Sequence, residues 1–131
     1  MQNYTQYMEW IQPSWAPPAW LFGPVWAVLY ILIAISFGYV FWQFFKGKVS
    51  KKVALPFALN IIFNIAFTPI QFGLNNLPLA SIDILLVLGT LIWAIQSVQK
   101  RIPWVAWVNI PYFFWVCFAT VLQLTITILN M

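Results

Sequence analysis

The chain has 131 residues, of which 63% are hydrophobic, 20% aromatic and only 6% charged. So little polar side chain cannot cover a water-soluble globule, and an integral membrane protein is implied. The net charge of +4 sits on a chain with no histidine and one cysteine, which excludes an intrachain disulfide and leaves conventional hydrolase or metalloenzyme chemistry without its usual groups.

Met1 to Gln12 is polar, carries Glu9 and lacks the basic start and apolar core of a cleavable signal. The first membrane helix is therefore expected to do the targeting. Next comes Pro13-Ser14-Trp15-Ala16-Pro17-Pro18-Ala19-Trp20, where prolines stiffen the approach and tryptophans place amphipathic rings at headgroup level or against a flat ligand. Four apolar segments follow, at about 18–45, 53–73, 78–98 and 103–129. Each is near the roughly 20 residues that cross a 30 Å hydrocarbon core, and backbone groups in lipid must be satisfied within a segment, so these are read as helices. The first and last exceed the need and should tilt. The connections at 46–52, 74–77 and 99–101 are short enough to make neighbours antiparallel. The expected fold is all-α, one helical membrane bundle over residues 1–131.

All six basic residues fall in the first and third connections. The positive-inside rule puts those loops in the cytoplasm and the N-terminus, the Asn75-Asn76 turn and the C-terminus outside. The charge is thereby explained by topology and anionic lipid rather than by nucleic acid.

With 1.5 Å of rise per residue, Trp26, Asn64 and Asp83 lie in the outer half of the bundle, with Trp115 a little deeper. Asn60 and Asn64 share one face of the second segment, continued by Phe67 and Gln71. Interhelical hydrogen bonding and pocket lining suit these amides equally. Pro69 should leave the carbonyl of Ile65 free beside them. Asp83 is a carboxylate at membrane depth, which calls for a partner, water or a ligand, although the nearby helix N-terminus also stabilises it. In the last segment Tyr112, Trp115 and Ala119 fall at i, i+3 and i+7, where a broad ring beside a small residue makes a recess or ordinary helix packing. Thr120, Gln123, Thr127 and Asn130 form a weaker polar stripe, read as interhelical. Cys117 is read as packing.

These residues resemble the translocator proteins, the TspO and peripheral-type benzodiazepine receptor family. The resemblance runs from about Trp10 to Asn130. It rests on the Pro13-to-Trp20 block, Val25-Trp26 with Leu29-Tyr30, Asn64 ahead of Pro69 and Phe72-Gly73, Asp83-Ile84-Leu85-Leu86-Val87, Pro111-Tyr112 with Trp115, and Phe118-Ala119-Thr120-Val121-Leu122. Some positions depart from the family pattern. Asn60 stands where glutamine is usual, Ile65 and Phe67 replace tryptophans, and Gln123 replaces an asparagine. The tyrosine and basic residue of the animal cholesterol motif are missing after Thr120, so sterol binding of that kind is not expected. The chain starts where the family's second helix is approached, so it reads as a four-helix member of a five-helix family.

The resemblance implies a receptor or translocator for porphyrins such as protoporphyrin IX, with synthetic isoquinoline and benzodiazepine ligands sharing the pocket. It implies ligand-binding roles for Trp20, Trp26, Tyr30, Asn60, Asn64, Phe67, Asp83, Tyr112, Trp115 and Ala119, under a loop running from Trp15 to Trp20. Trp26 and Trp115 match tryptophans implicated in light- and oxygen-dependent porphyrin breakdown, so a degradative enzyme is the alternative, with those two as its catalytic residues. A structural or regulatory subunit with a vestigial pocket is the third reading. No cofactor or metal is expected. A metal-free tetrapyrrole is expected rather than haem, because histidine, the usual axial ligand, is absent. The expected partners are that hydrophobic ligand, the lipid bilayer, here a bacterial cell membrane, and a second copy of the chain in a homodimer.

Overall fold

The computed structural model describes residues 13–74 and 76–130, excluding the side chains of Ala19, Gln71 and Phe72. Helix α1 (Ala19–Phe45) is followed by α2 (Lys51–Thr68), a wider π-helical turn (Pro69–Gly73), α3 (Leu77–Val98), α4 (Pro103–Val108) and α5 (Ile110–Leu129). Among the described residues there are four spans long and apolar enough to cross a membrane, with α4 and α5 together forming the fourth. This is the all-α membrane bundle that the composition requires. Large apolar side chains such as Ile31, Ile35, Ile62 and Phe114 face outward, as a lipid solvent permits.

Local chemistry explains each boundary. At the end of α1 the amide of Gly47 bonds to the Phe44 carbonyl at 3.0 Å and that of Lys48 to the Gln43 carbonyl at 2.9 Å. This paired Schellman arrangement requires a left-handed residue, and Gly47 supplies it with φ of 75°. Pro69 has no N–H to give the Ile65 carbonyl, so the second span loses an α-helical bond at this point. It widens instead, with the Leu74 amide reaching the Pro69 carbonyl at 3.0 Å. Helix α3 opens with Asn76, whose Oδ1 accepts the Leu79 amide at 3.0 Å.

The last span, read from sequence as one helix over 103–129, is interrupted at Asn109. Pro111 cannot donate to the Trp107 carbonyl, and the Asn109 side chain, fully buried, bonds back to the Val105 carbonyl at 2.8 Å. The same Nδ2 donates to Ser36 Oγ of α1 at 3.0 Å. The break therefore doubles as a tie between the first and last spans.

Helix α3 packs along α2 on one side and α5 on the other, whereas α1 makes few close backbone approaches and meets its neighbours through larger side chains. In the interior, Phe37 and Phe57 meet edge to face at 4.7 Å, within a layer that includes Val40, Leu91, Val98, Val105 and Val116. Because α1 stands off, bulky aromatic residues fill the space between it and α5, and that space is where the candidate site lies.

Candidate functional site

Trp26 on α1 is the hub of the aromatic side of the site. Its ring stacks on Tyr30 at 5.4 Å, and meets the edge of Tyr112 at 6.5 Å and of Trp115 at 6.4 Å. Trp115 in turn contacts Phe22 at 5.8 Å and Phe118 at 5.5 Å. Above them Trp15, in the segment before α1, touches Phe118 edge-on at 5.9 Å. Such offset and edge-to-face pairs each add about 0.5–1.5 kcal/mol beyond burial, so the rings form a connected wall rather than a loose set.

A chain of hydrogen bonds underlies that wall. Tyr30 donates to Asn64 Oδ1 at 3.1 Å, Asn64 Nδ2 to the Tyr112 oxygen at 2.7 Å, and Tyr112 to Asn60 Oδ1 at 2.8 Å. Asn60 Nδ2 then donates to the Val87 carbonyl at 2.9 Å and to Thr90 Oγ1 at 3.2 Å. Four helices, α1, α2, α5 and α3, are joined by it. Asn60 and Tyr112 are almost wholly buried, and in a low dielectric such groups persist only when paired.

Two polar atoms of the site lack partners. Asp83, 5% exposed, buries Oδ2 with no hydrogen bond, and Trp115 buries Nε1 likewise. One is an oxygen able to accept, on α3, and the other a fixed donor, on α5. Among the described residues no group of three His, Cys, Asp or Glu side chains comes together.

The structure thus brings Trp26, Tyr30, Asn60, Asn64, Tyr112 and Trp115 into one continuous assembly. Phe67 and Ala119 pack against the core beside it, half-buried. Trp20 stands 72% exposed on the outside of α1, away from the rings. The side chain of Gln71 lies outside the described residues. Of the weaker stripe, Gln123 donates to Thr127, and Thr127 reaches Ser81 at 2.7 Å and the Leu77 carbonyl at 3.3 Å on α3. Thr120 bonds back to the Val116 carbonyl of its own helix, and Asn130 Nδ2 donates to the Ile126 carbonyl. Sequence reasoning missed Phe22, Phe118 and Thr90. The last had a signal, because Asp83, Val87 and Thr90 are four and three apart on one helical face.

Comparison with known proteins identifies the family. The TspO/MBR family matches residues 1–129. The tryptophan-rich protein TspO of Bacillus cereus is 42% identical over 119 residues, covering 91% of this chain and 76% of that protein. The protein of the same name from Chlorobaculum tepidum is 33% identical over 128 residues, covering 95% and 78%. The human translocator protein is 35% identical over 116 residues, covering 86% and 67%. Matched over almost all of its length in this way, the chain belongs to the TspO/MBR family.

Proposed function

We propose that the protein is a membrane receptor or translocator that binds a metal-free porphyrin or a similar planar hydrophobic molecule between α1 and α5. The observation that supports this most is the aromatic wall of Trp26, Tyr30, Tyr112 and Trp115, in which the Trp115 Nε1 donor is unpaired. Aromatic walls with a few placed polar groups are the usual make-up of sites for flat ligands. The test is a titration of the purified protein with protoporphyrin IX, followed by tryptophan quenching in darkness. Saturable quenching at about one ligand per chain is expected, and a linear, non-saturating response would overturn the reading.

A second reading is favoured by the two indoles 6.4 Å apart. Indole is readily oxidised: Trp26 or Trp115 would give an electron to the photoexcited tetrapyrrole, whose anion passes it to dioxygen. The indole radical would then take an electron back from the ring, so that superoxide adds to the ring cation and a methine bridge is cleaved with both oxygen atoms retained as carbonyls. The protein is then a porphyrin-degrading enzyme as well as a receptor.

The reading also places the lysine-bearing loops in the bacterial cytoplasm, by the positive-inside rule. It includes a homodimer, because Ala27, Ala34 and Gly38 face outward on α1, where small residues let a second helix approach closely. Light scattering in detergent is expected to give twice the chain mass, and a monomer alone would remove the dimer from the proposal.

A further inference from the structure

The end of the bundle opposite the aromatic site concentrates positive charge that no acid among the described residues neutralises. Lys46, Lys48, Lys51 and Lys52 lie in the α1–α2 connection and the first turn of α2, and Lys100 and Arg101 in the α3–α4 connection. Among the described residues the one acid, Asp83, sits near the start of α3, at the other end. Lys51 and Lys52 occupy a helix N-terminus with no acidic residue in its first turn, where the helix dipole adds to their mutual repulsion. Among the described residues none supplies the counter-charge.

The surroundings specify its chemistry. Lys46 Nζ is held 4.0 Å above the Trp42 ring, a cation–π contact that fixes an ammonium at the level of the membrane interface. Trp42 meets Tyr39 at 5.9 Å, and Tyr39 meets Trp104 of α4 at 5.1 Å. Trp42 and Trp104 are 52% and 40% exposed, which gives an aromatic shelf that continues from the cation toward the apolar zone. Beneath the same turn Gln43, 9% exposed, buries Oε1 without a partner, an acceptor awaiting a hydroxyl or N–H. The Schellman cap at Gly47 holds Lys46 and Lys48 in place.

We propose that this end is a binding site for an anionic phospholipid with a hydroxyl-bearing headgroup, of the phosphatidylglycerol class. Lys46 and Lys48 take its phosphate, Gln43 accepts from its glycerol, and its upper chain lies along the Trp42, Tyr39 and Trp104 shelf. The site is independent of the aromatic pocket and of what that pocket binds.

Native mass spectrometry of the purified protein, offered equal amounts of phosphatidylglycerol and phosphatidylcholine with identical chains, tests it. Retention of phosphatidylglycerol is expected to exceed that of phosphatidylcholine about tenfold, falling to about twofold in Lys46→Gln/Lys48→Gln. Lys100→Gln/Arg101→Gln is expected to keep most of the preference. Equal retention of the two lipids by the unaltered protein would overturn the proposal without reference to any variant's folding. So would a full preference in the Lys46→Gln/Lys48→Gln protein, or displacement of the lipid by excess inorganic phosphate, which would mark a free-anion site instead.

Discussion

Tyr112→Phe is expected to destabilise the detergent-solubilised protein by about 2 kcal/mol, although it removes a single oxygen and leaves the ring in place. That oxygen accepts from Asn64 and donates to Asn60, so its loss orphans a buried donor and a buried acceptor at once. An unsatisfied buried group costs roughly 1–3 kcal/mol, whereas interhelical hydrogen bonds in membranes average about 0.6 kcal/mol. Two orphans, partly relieved by local rearrangement, fall between the sums of these limits. Chemical unfolding in mixed micelles measures the change, and a loss below about 0.5 kcal/mol would mean that the network is not integral to the bundle. Adding Asn60→Leu should then cost less than it does in the unaltered protein, because Tyr112 no longer needs its acceptor. A coupling of about 1 kcal/mol is expected from that double-mutant cycle.

Removal of either indole should have a comparable effect on binding. Trp26→Ala and Trp115→Ala are each expected to weaken protoporphyrin IX roughly thirtyfold, about 2 kcal/mol, from the lost ring surface and the lost ring–ring order. With the rings 6.4 Å apart, the double variant should lose less than the sum, since the first deletion already slackens the wall. The phenylalanine variants separate the two functional readings. A flat ring remains, so binding should survive within about fivefold, while light-driven loss of porphyrin absorbance should vanish if the indoles are the electron donors. Bleaching that continues in both phenylalanine variants would leave a receptor or carrier only. Trp20→Ala is the control, because that side chain points outward at 72% exposure and its loss should leave the titration unchanged.

The bundle was legible because a membrane reduces the choice of structure to very few forms: length, apolarity and short polar connections already give four antiparallel spans. The Asn60 and Asn64 stripe was legible from helical spacing, and the ring neighbours Tyr112 and Trp115 from their shared face. What spacing left open was which contacts these residues make. Each amide suited a pocket or interhelical packing equally well, and the structure shows that they carry interhelical bonds while Tyr30, at one end of the series, stacks on Trp26. The break at Asn109 was hidden because one asparagine before Ile110 and Pro111 resembles ordinary helix punctuation, and its tie to Ser36 spans 73 residues. Trp20 could not be placed by composition either, since one step around a helix, about 100°, separates a lipid-facing ring from an inward one.

The hydrogen-bond series has a direction, and its far end decides it. The Val87 carbonyl has no proton to give, so Asn60 must turn its NH2 toward α3 and its oxygen toward Tyr112. Tyr112 must then spend its proton on Asn60 and receive one from Asn64, which turns the Asn64 oxygen to Tyr30. One main-chain oxygen thereby orients two amides whose oxygen and nitrogen ends would otherwise be interchangeable, and commits the protons of two phenols. Tyr30 stacks on Trp26 with its hydrogen already engaged by Asn64. A guest that reaches that phenol finds only lone pairs, so it must bring the hydrogen itself, and guests can be ranked in advance by whether they carry one.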